Sequence, residues 1–283
     1  MQRKEISLLV ILYGKDFTQS QTLKCILDFE NKIDNLVVVN NGPEKLNDED
    51  SFLNLLKLKH NQVCFFEFLE NKPLSWIYND FVANFKSDYY VIFDDDTYIS
   101  KESEKQIFNL SDIDIEIPKI YAIQDKKQYY PIVNGNIYTS YGLITEYSEI
   151  YSIGSGLIFS KNVKDVFRDN NLELFDSNFS LYGVDISFFR KVNYLKGENI
   201  AFKVSSLISI DHSLSRAEGE ISEWRYIERL YDQTLSVKYY QKFKIFRLLK
   251  LLIKNFRKLN RIQVILMTYF NGFHPRCAKK AKK

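Results

Sequence analysis

Cysteine is scarce in this chain. Cys25, Cys64 and Cys277 form an odd set at unrelated spacings, which supports neither a disulfide framework nor a cysteine zinc site and fits a reducing compartment. Proline (5) and glycine (10) are few among 283 residues, which together with abundant aromatic residues argues against long disordered or low-complexity regions. No apolar run approaches the ~18 residues of a bilayer-spanning helix. The run 6–12 follows Arg3 and Lys4 as a secretion signal would, but it is short and leads into Gly14-Lys15-Asp16 without a small-residue cleavage site; it reads as a first strand. Acid is missing from the tail. Residues 233–283 hold 14 Lys or Arg and no Asp or Glu, and subtracting these 14 from the net +3 leaves −11 for residues 1–232. An acidic body with a basic tail implies an anionic partner met by the tail alone. Nucleic acid is disfavoured, because the body's charge repels a phosphate backbone.

Aromatic residues are plentiful, with 22 Phe and 19 Tyr, and the chain is long enough for one domain of ~200 to 250 residues plus an appendage. We divide it into a domain over 1–225 and a basic helical extension over 226–283. Apolar β-rich runs at 6–12, 36–39, 63–68 and 89–93 alternate with helical spacing at Leu23, Ile26 and Leu27, at Leu53 and Leu56, and at Trp76, Ile77, Phe81 and Val82. This rhythm implies βαβ units, an α/β class and a mostly parallel sheet flanked by helices. Further strands are expected at 120–123, 132–138, 157–159 and 200–210, with helices at 161–168 and 183–191.

The chain is organised around residues 89–99. Tyr89-Tyr90-Val91-Ile92-Phe93 reads as a strand buried on both faces, and Asp94-Asp95-Asp96 follow at once. Ligands bind at the C-terminal ends of strands in open α/β sheets. Three crowded carboxylates repel unless a cation or a set of donors offsets them, and a hard divalent ion bridging to substrate phosphates is the natural offset. The alternative is a solvated acidic turn. Tyr13, Asn40, Asn79, Asp185 and His212 also fall at or beyond the ends of expected strands or on a following helix. For His212 the alternative is a satisfied structural residue; for Asp185 it is an acid stabilised in the first turn of a helix.

The tail gives the clearest periodicity. Read as one helix over 239–262, it sets Arg247, Lys250, Lys254, Arg257, Lys258 and Arg261 on one side. Ile245, Leu248, Leu249, Leu252, Ile253, Phe256 and Leu259 fall on the other, with Phe243 out of place. Such a helix binds an anionic membrane surface, or it packs its apolar face on the domain and leaves its cations solvated.

Together these residues resemble the inverting family 2 glycosyltransferases of the GT-A fold, many of which build bacterial surface polysaccharides. The resemblance spans about residues 5–215. It rests on an apolar first strand ending in Tyr13, on Val38-Val39-Asn40-Asn41-Gly42-Pro43, on Asn71-Lys72-Pro73 with Asn79, on Asp94-Asp95-Asp96-Thr97 in the place of an Asp-x-Asp motif, and on Tyr182-Gly183-Val184-Asp185 with Arg190. Asn40 stands where the family has Asp, and Val184 where it has Glu.

The resemblance implies a Rossmann-like mixed sheet and a metal-dependent transfer from a nucleotide-diphosphate sugar to a hydroxyl of a glycan or lipid-linked acceptor. Tyr13 and Asn40 would hold the base, Asp94 or Asp95 the ribose, and Asn79 would belong to the donor site. Asp96, with His212, would hold a Mg2+ or Mn2+ ion, and Asp185 would act as general base. The enzyme would be cytoplasmic, peripheral on the inner face of the cell membrane. A non-catalytic nucleotide-sugar or polysaccharide-binding protein derived from this fold is the alternative, and retention of Asp96, Asp185 and His212 argues against it. Haloacid-dehalogenase phosphatases place Thr or Val where Tyr98 stands, and sugar nucleotidyltransferases need a Gly-rich basic loop for which Gly14-Lys15-Asp16 is a poor substitute.

Overall fold

The structure is a computed structural model that describes residues 3–214 and 222–282. Strands β1 (Ile6–Leu12), β2 (Asn35–Asn40), β3 (Gln62–Glu67) and β4 (Tyr89–Asp94) run parallel in the spatial order β4-β1-β2-β3. The intervening helices are α1 (Gln21–Leu27), α2 (Ser51–Lys59) and α3 (Leu74–Asn84). Every residue of β1 is buried, and alternate residues enter different cores. Leu9, Ile11, Val37, Val39, Tyr90 and Ile92 face one side with Ile77, Phe81 and Val82 of α3. Leu8, Val10, Leu36, Val38, Val91 and Phe93 face the other with Leu23 and Ile26 of α1 and Leu53 and Leu56 of α2. Burial on both faces, at roughly 1.5–3 kcal/mol per large aliphatic side chain, is why these strands are continuous apolar runs.

After β4 the chain makes a tight turn at Asp95-Asp96 into β5 (Thr97–Ile99) and α4 (Lys101–Asn109). Short strands follow: β6 (Ile115–Glu116), β7 (Lys119–Ala122), β8 (Gln128–Tyr130), β9 (Ile132–Val133), β10 (Asn136–Ile137), β11 (Gly142–Leu143), β12 (Ile150–Tyr151) and β13 (Ile158–Ser160). Then come α5 (Lys161–Asp169), α6 (Val184–Gly197), β14 (Val204–Ser206) and β15 (Ser209–His212), and α7 (Glu223–Tyr239), α8 (Lys244–Asn255) and α9 (Leu259–Asn271). Among the described residues the main sheet has eight strands, ordered β11-β14-β6-β13-β4-β1-β2-β3, and β13 runs antiparallel to β4. The direction therefore switches beside β4. Helices α3, α5 and α6 cover one face, where Phe188 of α6 meets Phe159, Phe167 and Phe175 at centroid distances of 5.5–5.6 Å.

Three expected elements differ. The strand over 132–138 is a hairpin, β9 antiparallel to β10, turned by Asn134 and Gly135, both at positive φ. The strand over 200–210 is two strands in different sheets, because β14 pairs with β6 whereas β15 pairs with β5 and β7. Buried Glu116 holds the crossover, its Oε1 accepting the backbone N–H groups of Leu207 at 2.7 Å and Ile208 at 3.0 Å, and its other oxygen bonding Ser205 Oγ. The single tail helix over 239–262 is the end of α7, all of α8 and the start of α9. Phe243, at φ 56°, precedes α8 and breaks the helix after α7. Leu251 of α8 packs between Leu230 of α7 and Ile265 of α9.

His60, just after α2, is buried. Its Nδ1 accepts the N–H of Ile33 at 3.2 Å and its Nε2 lies 3.2 Å from the Ile26 carbonyl, so the neutral ring fits and a second proton would face the Ile33 N–H. Burial lowers its pKa from 6.5 to about 4. The unfolded chain takes the proton below pH 6.5 and the folded chain does not, so stability is full above that value and declines as pH falls to about 4. Urea unfolding at pH 7 and pH 4 is expected to show a loss on the order of 3 kcal/mol from this residue, absent in His60→Asn.

Candidate active site

The C-terminal end of β4 opens into a cleft of about 660 Å³ lined by residues from both halves of the chain. Its floor is stitched to the start of α1. Thr22 Oγ1 donates to the Asp94 carbonyl at 2.5 Å and accepts the Thr97 N–H at 3.0 Å, while Ser20 Oγ donates to the Asp95 carbonyl at 3.0 Å. These bonds fix the turn and so aim its three carboxylates apart. Asp95 points towards the end of β1, accepting the Tyr13 N–H at 3.0 Å and the Lys15 ammonium at 2.5 Å. Burial raises its pKa, and Lys15 and the Tyr13 N–H oppose that.

Asp94 and Asp96 turn the other way, towards His212 at the end of β15. His212 is buried, with Nδ1 3.0 Å from Thr97 Oγ1 and 3.1 Å from Asp96 Oδ1, and Nε2 3.8 Å from Asp94 Oδ2. Burial opposes a charged imidazole, but the nearby carboxylates of Asp96, Asp94 and Asp95 outweigh it and raise the His212 pKa. Burial pushes Asp94 up to about 7 against the pull of His212, with Asp96 and Asp95 adding repulsion. Burial also acts to raise Asp96, and the close approach and charge of His212 overcome it, leaving Asp96 below the usual value.

The donor set fits a divalent cation. Asp94, Asp96 and His212 each offer one ligand atom, all within 4.8 Å of one another, and Asp96 Oδ1 is buried with no hydrogen bond of good geometry. Carboxylates and one imidazole suit a hard or borderline divalent ion.

Asp185, in the first turn of α6, lines the same cleft. Its Oδ2 accepts the Gly154 N–H at 3.2 Å and its Oδ1 the Ile186 N–H at 2.8 Å. Gly183 precedes the helix at φ 81°, and a Cβ there would lie 2.2 Å from Asp232 Oδ1 of α7, so glycine is required for the close approach of the two helices. Burial raises Asp185 to about 6; the Ile186 and Gly154 N–H groups pull it down and Asp232 pushes it up. A partly buried carboxylate whose pKa is raised towards neutrality suits proton abstraction. Arg190, one turn further along α6, donates to Ser236 Oγ of α7 at 2.9 Å, and Ser236 donates to Asp232 at 3.1 Å.

Neither a protein-family model nor a curated protein matches the sequence. Solved structures do. S. aureus TarS superposes with a TM-score of 0.55 at 14% identity, over 95% of this chain and 43% of the TarS chain. TarS 1-349 in complex with UDP-GlcNAc gives 0.55 at 14% identity over 97% of this chain and 83% of that one. The same fragment in complex with UDP gives 0.50 at 15% identity over 99% and 75%. This is a GT-A-like glycosyltransferase fold. The chain spans less than half the length of the longer TarS chain.

Within the GT-A-like cleft, Tyr13, Asp94, Asp95, Asp96, Asp185 and His212 all lie on the wall. Asn40 and Asn79, expected in the donor site, are not on that wall; both spend their amides on the protein's own groups. The Asn40 amide donates to the Glu44 carbonyl at 2.7 Å and to Glu67 at 3.0 Å, and its oxygen accepts the Gly42 N–H at 3.0 Å. Asn79 exchanges two hydrogen bonds with the Phe175 backbone, pinning α3 to the segment before α6. The neighbour Asn41 lines the cleft instead, its Nδ2 bonded to Asn71 and Lys72 and its Oδ1 buried without a partner. Asn40-Asn41 gave the signal for an amide here, but which of two adjacent residues faces the cleft depends on the turn just beyond them.

Sequence reasoning also missed Lys15, Trp224, Arg229, Asp232 and Gln233. The last four line the cleft, and Lys15 holds Asp95 at its edge. Lys15 sits in what reads as a polar turn. The other four belong to α7, where polar residues at helical spacing look the same whether they face water or a cleft.

Proposed function

We propose that this chain is a metal-dependent inverting glycosyltransferase of the family 2 type. It moves a sugar from a nucleoside-diphosphate donor to a hydroxyl of a glycan or lipid-linked acceptor in surface polysaccharide synthesis. One observation carries the reading: an Asp-Asp-His donor set and a partly buried carboxylate raised towards neutrality, Asp185, line one cleft. The fold supports it, since TarS 1-349, of the same fold, was solved with UDP-GlcNAc and with UDP.

Tyr13, half exposed at the cleft edge, offers a ring face to the nucleobase. Asp95, already committed to Tyr13 and Lys15, shapes the loop that bears this ring. Asp94, Asp96 and His212 would hold a Mg2+ or Mn2+ ion, which when bound would neutralise charge on the departing nucleoside diphosphate. Asp185 takes the proton of the acceptor hydroxyl as that oxygen bonds to the anomeric carbon, and the bond from that carbon to the diphosphate oxygen breaks on the opposite face. The outcome is inversion, with the proton on Asp185 and the negative charge on the released diphosphate.

Donor binding tests the reading. With a panel of UDP-, GDP- and dTDP-sugars and Mn2+ or Mg2+, one donor is expected to raise the unfolding temperature. Saturation at 100 times Kd is worth about 2.7 kcal/mol, and chelation should abolish the effect. A flat response to every donor, with and without metal, overturns it.

A further inference from the structure

One surface of the described residues is left open by the protein's own core. Helix α8 meets its neighbours through Leu248, Leu251, Leu252 and Asn255, the last accepting the Tyr226 hydroxyl of α7 at 2.8 Å. At 100° per residue these four share one direction; Phe246, Leu249, Ile253 and Phe256 fall on a stripe roughly 90–170° away from it, and Ile245 lies at the margin between the two. With Phe243 and Leu259 at its two ends, the stripe and its margin hold seven large apolar side chains that are 52–83% exposed. Single exposed leucines are ordinary; a continuous apolar stripe marks an interaction surface.

Cations line one side of the stripe, opposite the buried face's edge. Lys244, Arg247, Lys250, Lys254 and Arg257 are exposed. Lys258 and Arg261, by contrast, turn back onto Glu223 at the start of α7. Among the described residues Lys244, Lys250 and Lys254 make no ion pair, and 233–283 supplies no acid that could. No helix of the described residues is long and apolar enough to cross a membrane, so an apolar stripe bordered by lysines suits a helix lying in the plane of an interface.

We propose that α8 and the turns at its ends dock on an anionic lipid bilayer, the apolar stripe at the boundary of headgroups and acyl chains and the lysines among the phosphates. Charge decides the occupant. A second copy of this chain would set the same cations against one another across a two-fold axis with no acid in the segment to answer them. Nucleic acid would leave the aliphatic stripe in water. The inference does not depend on sugar transfer, yet it bears on it. Helix α7 carries Trp224, Arg229, Asp232 and Gln233 on the cleft and packs Leu230 against α8 and α9. The docked helix therefore lies one helix away from the cleft, as a lipid-linked acceptor would require.

The test is co-sedimentation of the full chain with vesicles of phosphatidylcholine containing 30% phosphatidylglycerol, compared with phosphatidylcholine alone. Binding is expected to the anionic vesicles only, and to weaken at least tenfold between 0.1 M and 1 M salt as the Debye length shrinks from ~10 to ~3 Å. Lys250→Gln with Lys254→Gln is expected to lower partitioning roughly 25-fold, at about fivefold per cation. Phe246→Ser with Ile253→Ser should lower it as far, with the unfolding temperature unchanged because these side chains are exposed. No sedimentation at low salt, equal binding to neutral vesicles, or insensitivity to both double variants overturns the proposal. So does a stable dimer that Phe246→Ser with Ile253→Ser dissociates, since the face would then belong to a second copy.

Discussion

Asp185→Asn is expected to leave affinity for the nucleoside-diphosphate sugar within about twofold of the parent while transfer falls by 10²- to 10⁴-fold, the range for loss of a positioned general base. The amide keeps the volume of the carboxylate and an oxygen able to accept one of the two N–H groups, from Gly154 or Ile186, that fix the side chain. What it loses is the capacity to take a proton. The pH profile supplies an independent reading of the same role. A carboxylate raised to about 6 by burial, and by Asp232 at its back, is protonated and idle below that pH, so transfer should rise as pH passes about 6. Asp232→Asn removes the like charge and should move this limb to lower pH. Gly154 and Ile186 act on Asp185 through backbone N–H groups that no side-chain substitution removes. If Asp185→Asn weakens donor binding and spares transfer from bound donor, Asp185 is a donor-site residue and the assignment of the base is wrong.

Asp96→Asn is expected to reduce Mn2+-dependent donor binding by on the order of 10²-fold or more, because losing even the outer partners of a metal ligand costs 10- to 100-fold. Calorimetric titration with metal and donor would measure it, and transfer should be lost in parallel. The fold should survive. In the absence of metal Asp94, Asp95 and Asp96 repel one another at the turn; burial raises Asp94 and Asp95, whereas the charge of His212 holds Asp96 below the usual value, so the substitution trades relieved repulsion against a weaker attraction to His212. Removing one charge relieves that repulsion while His212 keeps its contacts with Thr97 and Asp94. An unfolding temperature near that of the parent without metal, and no longer raised by metal and donor, is the expected pair of results. Retained metal-dependent binding in this variant would remove Asp96 from the ion site.

The positions that meet in the cleft differ in how local their causes are. Asp94 to Asp96 were legible because a doubly buried strand writes itself as an uninterrupted apolar run, and the residues just beyond such a run lie at the sheet's edge. Asp185 and His212 were legible for the same reason, one at the start of an apolar-faced helix and the other at the end of a strand. Asn40 and Asn79 fall off the cleft wall, which the sequence could not show because an amide offers the same chemistry to a ligand and to a neighbouring backbone. Only the packing of Glu67 and Phe175 against them shows which use is made.

By itself, then, the sequence determined the α/β alternation, the acidic turn after the fourth strand and the basic character of the tail. Each comes from periodicity or composition that needs no knowledge of distant contacts. Only the tertiary structure decided the rest. Glu116 splits one expected strand between two sheets by capturing N–H groups 91 and 92 residues away in the chain. Leu230 and Ile265 choose which side of α8 is buried and so leave a different apolar stripe in solvent. Asp232, brought by α7 against Gly183, completes the far wall of the cleft. In each case the deciding partner is remote in sequence, and local propensity carries no information about it.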